Sequence, residues 1–194
     1  MRIVVYDHAG HPFQVQLSRH LARRGHEVLH SYCGRLTTPR GPLRPRDDDP
    51  DRFHISPVST DARFSRYALL RRFMQERTLG RRVVEKVHAF DPDIVMSANT
   101  PLETKRILLD DCKRRRVGFV FWLQDVLCIG IRAALEDKLS IFGTPPALAF
   151  QKLEKWLLRR SDAVVAITED FRGTLQEAGV RPENLHIVPN WAPL

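Results

Sequence analysis

Apolar residues fall into two arrangements that alternate from one end of the chain to the other. Short unbroken runs occupy residues 2–6, 27–32, 53–58, 93–98, 117–123, 162–167 and 185–188. Runs of this length without polar alternation predict strands buried on both faces, as in a parallel sheet covered by helices. Between them, apolar positions recur at helical spacing. Phe13, Leu17 and Leu21 give one such face, and Gly25 stands where a C-terminal cap is expected. Thr100-Pro101-Leu102-Glu103 reads as a capping box with proline at the first helical position, so a helix is predicted to start there with Thr100 as its cap. Ala149, Leu153, Trp156 and Leu157 mark another face that runs out at Arg159 and Arg160. A last helix is predicted from about Glu169 to Ala178, capped by Thr168 and stopped by Gly179. Strand–helix alternation of this regularity predicts an α/β chain: a Rossmann-like, doubly wound, mostly parallel seven-stranded sheet with helices on both faces. A single domain over residues 1–194 is expected. Two stretches break the pattern. Gly34 to Asp51 holds four prolines and mixed charge, a surface loop, and Leu127 to Pro146 reads as a short helix and a turn at Gly143-Thr144-Pro145-Pro146.

Composition narrows the class. A length of 194 residues with 43% apolar and 28% charged positions suits a globular core and argues against disorder. No run approaches the ~20 apolar residues that span a bilayer, and Arg2 leads straight into a strand without a signal-peptide pattern. Cys33, Cys112 and Cys128 are odd in number, widely spaced and lack a CxxC pair, which fits a reducing compartment and gives no zinc signature. These features together predict a cytoplasmic protein. The net charge of +8, mostly arginine, calls for an acidic partner: nucleic acid, anionic lipid or a phosphorylated ligand.

In open parallel sheets, ligands bind outside the carboxyl ends of the strands. The first strand ends in Asp7, His8, Gly10 and His11 just before a helix, where backbone N–H groups can receive a phosphate or a sugar hydroxyl. A plain turn with surface histidines is the alternative. GxGxxG is absent. The fourth strand ends at Asn99, left over as a candidate ligand contact once capping has accounted for Thr100 and Glu103. The fifth ends in Gln124-Asp125, a carboxylate at the mouth of the sheet that can accept a hydrogen bond from an acceptor hydroxyl or act as a base, or else serve as a helix cap. Asp47-Asp48-Asp49 reads as a solvated turn rather than a metal site, and neither a GxSxG nor a cysteine with a local histidine occurs. The helical pattern from about Arg63 to Lys86 sets Phe64, Tyr67, Leu70 and Met74 in a stripe, flanked by Arg63, Arg66, Arg71, Arg72, Arg81 and Arg82. That is the composition of an interfacial membrane-binding helix and also of a crossover helix with arginines in water.

The order and spacing of several stretches resemble the N-terminal domain of a GT-B glycosyltransferase of the retaining family 4, of exopolysaccharide and O-antigen type. They are Arg2–Tyr6 with Leu21–Val28, Phe90-Asp91-Pro92-Asp93-Ile94-Val95, Trp122-Leu123-Gln124-Asp125, and above all the run from Leu153 to Asn190 with Val188-Pro189-Asn190-Trp191. The resemblance implies an acceptor-side domain facing a second, nucleotide-sugar domain that this chain lacks. It further implies transfer with retention from a nucleoside diphosphate sugar to a lipid-linked or saccharide acceptor, with no metal and no other cofactor. Asp125 matches the acceptor-side polar residue and is the catalytic candidate. Asp7, His8, Gly10, His11, Asn99 and Gln124 are the expected acceptor contacts. An anionic membrane surface on the inner face of the cell membrane is an expected partner, through the arginines named above. Family members often carry a glycine-rich loop after the first strand, and Ala9-Gly10-His11-Pro12 is a thinner version. Taken alone, 194 residues of this kind are expected to fold but not to turn over.

Two other classes remain to be weighed. A non-catalytic Rossmann-like binding module with a basic surface would explain the charge, but no nucleic-acid motif is present, and nucleic acid is not an expected partner. A nucleotide-dependent epimerase or dehydrogenase would need the glycine fingerprint that is missing.

Overall fold

The computed structural model describes residues 1–34, 41–59, 69–125 and 144–191. Seven strands run β1 (Arg2–Asp7), β2 (Glu27–Cys33), β3 (Phe53–Val58), β4 (Ile94–Ala98), β5 (Gly118–Leu123), β6 (Ala163–Ala166) and β7 (Leu185–Ile187). They form one sheet in the order β3-β2-β1-β4-β5-β6-β7, and every neighbouring pair is parallel. The helices among the described residues are α1 (Pro12–Arg23), α2 (Leu69–Phe90), α3 (Leu102–Arg115), α4 (Thr144–Arg160) and α5 (Phe171–Glu177), with a 3-10 turn at Pro182–Asn184. This is the Rossmann-like α/β architecture that the alternating pattern predicts.

Both sheet faces are apolar, which explains the unalternated runs. On β1, Ile3 and Val5 pack with Val15 and Ala22 of α1, while Val4 and Tyr6 turn to a larger core built with α2, α3 and the later helices. Each such side chain stabilises the fold by about 1.5–3 kcal/mol of transfer free energy when fully buried. Gly25 (φ 92°) ends α1 and Gly179 (φ 90°) follows α5, at the left-handed backbone positions expected of helix stops.

Three local expectations differ. Thr100 does not cap α3. Its hydroxyl donates to the Ala98 carbonyl and accepts from Ser97, the N-cap is Pro101, and no side chain of that residue caps the helix. Instead, the Glu103 N–H donates to the carboxylate of Glu76 on α2, and Thr104 Oγ1 donates to the Glu76 carbonyl at 2.7 Å. The α3 start is thus satisfied from a neighbouring helix, so the local box is not needed. Thr168 likewise stands two residues ahead of the Asp170 N-cap, accepting the Asp170 N–H in a turn, and α5 begins at Phe171. Thr144-Pro145-Pro146 opens α4 rather than a turn, because proline is tolerated where the first-turn N–H groups have no intrahelical partner. The rest of that irregular stretch, 126–143, lies outside the described residues.

A candidate acceptor cleft at the carboxyl edge of the sheet

The sheet order reverses between β1 and β4, and an open parallel sheet has its crevice there, outside the carboxyl ends. β1 and β4 are in register with Asp7 opposite Ala98, and the His8 N–H donates to the Ala98 carbonyl at 3.3 Å. Ala98 also pairs with Trp122 of β5. Asp7, His8, Gly10, His11, Asn99, Gln124 and Asp125 therefore all lie along one edge of the sheet, with Asp7, His8, Gly10, His11 and Asn99 at the β1–β4 switch.

Their side chains do different things. The Asp7 carboxylate is fully buried and bends back on its own loop. It accepts the N–H groups of Ala9, at 3.1 Å, and of His11. Gln14, oriented so that its amide donates, adds bonds of 2.6 and 2.8 Å. Burial pushes its pKa up to about 7 against the pull of the Gly10, His11 and Ala9 N–H groups. Asp7 thus shapes the β1–α1 loop. Gly10 sits at φ 80°, open only to glycine without strain, and its carbonyl accepts the Gly41 N–H at 2.9 Å. Gly41 lies so near α1 that a Cβ there would meet Pro12 Cα at 2.7 Å.

His8 is 8% exposed, and its Nδ1 lies 3.2 Å from the Tyr6 hydroxyl. Burial, then the charge of Arg72, lower its pKa to about 3, so the ring is neutral at physiological pH. Among the described residues, His11 Nδ1, Asn99 Nδ2, Trp122 Nε1 and Gln124 Nε2 are buried with no hydrogen-bond partner. Buried polar atoms are rarely left so. Asn99 also holds a left-handed backbone (φ 48°), a cost of order 1–3 kcal/mol for most residues that asparagine bears more easily. Asp125 is exposed at the end of β5.

One wall of the cleft is aromatic. Phe13, in the first turn of α1, packs edge-on against His11, Trp122 and Trp191 with centroids 5.5, 6.0 and 6.0 Å away. Trp122 and Trp191 stack at 6.5 Å. Asn190 Nδ2 donates to Gln124 Oε1 at 2.7 Å, and Trp191 Nε1 donates to Gln16 Oε1 at 2.9 Å. The sequence offered Trp122, Asn190 and Trp191 only as parts of motifs. Their apolar-to-amide juxtaposition after a terminal strand was the available signal. Phe13 looked like a core position, and Gln14 gave no signal.

The arginines of α2 divide. Arg63 and Arg66 lie outside the described residues. Arg71 and Arg81 are exposed. Arg72 Nε donates to Glu76 at 3.0 Å, and Arg82 donates to the Ser59 carbonyl. Leu70, Phe73 and Met74 are 77%, 39% and 57% exposed. Asp48 and Asp49 pair with Arg23 and Arg19. A groove of about 480 Å³ flanks α1, lined by Gln16, Leu17, His20, Arg46 and Trp191 with those two arginines, and no strand-end candidate lines it.

A match to the glycosyl transferase 4-like domain covers residues 11–191. The chain belongs to that family. Its fold is shared by HepE of Anabaena, solved with UDP and glucose (TM-score 0.57, 14% identity, 99% of this chain and 45% of that one). Sucrose-phosphate synthase of Thermosynechococcus elongatus (0.61, 11%, 99% and 48%) and a UGT transferase of Siraitia grosvenorii in complex with UDP (0.57, 10%, 92% and 47%) also share it. At such identities the likeness concerns the fold, that of GT-B glycosyltransferases. No curated protein matches. The chain spans less than half the length of these three structures. The glycosyltransferase family chain contains no described helix long and apolar enough to cross a membrane.

Proposed function

We propose that this glycosyltransferase domain holds the acceptor for transfer, with retention, from a nucleoside diphosphate sugar to a lipid-linked or saccharide hydroxyl. The observation that supports the reading is the set of buried polar atoms, unpartnered among the described residues, on His11, Asn99, Trp122 and Gln124 along the carboxyl edge of β1, β4 and β5. Sugar hydroxyls both donate and accept, and these atoms supply the complement, while Phe13 and Trp191 offer an aromatic wall. In this proposal Asp125, exposed beside Gln124, accepts a hydrogen bond from the reacting hydroxyl. The glycosyl carbon leaves a diphosphate oxygen and joins the acceptor oxygen, and the acceptor's proton passes to the departing diphosphate. The donor would be held by a second, nucleotide-binding domain, and HepE, whose fold is similar, was solved with UDP and glucose. No metal or other cofactor is assigned to the acceptor side, and the compartment proposed is the cytoplasm. Polysaccharide biosynthesis is the proposed setting.

Adsorption to the inner face of an anionic membrane is part of the proposal, because Leu70, Phe73 and Met74 are exposed on one helix with Arg71 beside them. The decisive experiment joins this chain to a nucleotide-sugar-binding half and assays transfer. The 194 residues alone should not turn over, and the joined protein should. Asp125→Ala should cut the rate strongly with the fold intact; unchanged kinetics would remove Asp125 from the site. Turnover by the 194-residue chain alone would overturn the two-domain reading. Vesicle co-sedimentation that ignores lipid charge would end the membrane proposal.

A further inference from the structure

α2 runs from the carboxyl edge of the sheet, where β3 ends, to the amino edge, where β4 begins. Its first turns therefore stand beside the cleft, next to the start of α3. Arg72 lies in this region and is not arranged like a solvated arginine. Its Nε is fixed on Glu76 at 3.0 Å, and that carboxylate is 8% exposed. Glu76 is itself held by the Glu103 N–H at the α3 start, while Thr104 bonds its carbonyl. The Arg72 side chain remains 53% exposed, and among the described residues only its Nε is engaged. The charge of Arg72 is felt at His8, on the floor of the cleft. A long side chain ordinarily loses substantial rotamer freedom when it binds a ligand; Arg72 has already been ordered by Glu76, so its free N–H edge is preorganised.

We infer that Arg72, braced by Glu76, binds a phosphoryl group of the acceptor at the α2–α3 rim of the cleft. A planar guanidinium with its two Nη groups free presents paired donors that match phosphate oxygens far better than a neutral sugar hydroxyl. Asn99, whose Nδ2 has no partner, lies at the end of β4 in the connection to α3. This inference rests on the cleft being the acceptor site, and it narrows the acceptor to a phosphorylated compound, either a soluble sugar phosphate or a lipid carrying a phosphate head.

Direct binding tests it on the 194-residue chain. Calorimetry with inorganic pyrophosphate and a hexose 6-phosphate forms one arm. Co-sedimentation with phosphatidylcholine vesicles carrying phosphatidic acid forms the other, and the two tell a free phosphate from a lipid head. Arg72→Gln should weaken phosphate binding about tenfold or more, in line with loss of a charge-assisted bidentate contact. Arg72→Lys should recover only part of it, and Glu76→Gln should weaken binding while keeping Arg72. Arg114→Gln, at the far end of α3, should leave it unchanged. Phosphate binding that depends on Arg72 in either arm supports the inference. Unchanged binding in folded Arg72→Gln, or an equal loss in Arg114→Gln, overturns it. Should Arg72→Gln bind as wild type while the joined two-domain protein still transfers sugar, the phosphate site fails and the transfer reading stands. Phosphate held through Arg72 in a cleft that never accepts sugar would give the reverse.

Discussion

Asp7, expected from sequence as a ligand contact, has its carboxylate buried and bonded within its own loop. A carboxylate at a strand end before a helix is a common place for chemistry, and sequence carries no sign that its oxygens are taken by backbone N–H groups two and four residues on. Its pKa, raised by burial from 3.8 to about 7, makes a testable statement. The folded state holds the proton more tightly than the unfolded chain. Stability from this group is fully present below about pH 3.8 and is lost as pH rises through about 7. The loss is at most ~4 kcal/mol, since one unit is worth about 1.4 kcal/mol. Urea midpoints of the wild type should therefore fall between pH 4.5 and 8 more than those of Asp7→Asn, which cannot ionise. Equal slopes for the two proteins would show that the carboxylate is not buried as described. The places of His8 and Asn99 at the carboxyl edge were legible, because the strand pattern alone puts them there. What sequence could not supply was their state: a neutral ring beside Tyr6, and an amide with a left-handed backbone.

At the scale of elements, the strands were legible because both sheet faces are apolar, so each strand stands out as an unbroken run. Helix starts were less so. Thr100 to Glu103 has the spacing of a capping box, yet Glu103 is occupied by Arg106 in a two-bond pair at 2.8 and 2.8 Å, and Thr100 by its own strand end. The cap comes from Glu76, 27 residues upstream of Glu103, and a contact between helices cannot be read from local spacing. The consequence is measurable. Glu76→Ala removes the acceptor for the α3 first turn and releases Arg72, and loss of a helix cap costs about 0.5–2 kcal/mol. The variant should lower the urea midpoint accordingly, while Thr100→Val, whose hydroxyl bonds only within the β4–α3 corner, should leave hydrogen exchange at the first α3 amides little changed. Faster exchange of the Glu103 amide in Thr100→Val than in Glu76→Ala would restore the local box. The arginine-rich character of α2 was also visible in sequence, but the division of its arginines between water, Glu76 and Ser59 depends on which turn meets α3 and β3.

Across the whole molecule, the two ends of the described chain meet at the cleft. Trp191 donates to Gln16, 175 positions earlier, stacks on Trp122 and packs against Phe13. Asn190 reaches Gln124 in the same corner. The segment after β7 therefore closes the aromatic wall that α1 and β5 begin, so the shape of the site depends on residues beyond the last strand. Removing an indole that is partly buried in such a cluster forfeits stacking and apolar contacts, here about 2 kcal/mol, below the 3–5 kcal/mol of a fully buried aromatic. Trp191→Ala is expected to lower the urea midpoint by that amount with an unchanged slope, since the sheet and its two cores remain. Loss of the indole should also let water reach Trp122 and shift its fluorescence emission to longer wavelength, whereas Trp156, on α4 against Arg160, should contribute as before. A midpoint and emission maximum equal to those of the wild type, after allowance for the missing Trp191 signal, would mean that the last segment does not pack on the cleft, and the aromatic wall would then consist of Phe13 and Trp122 alone.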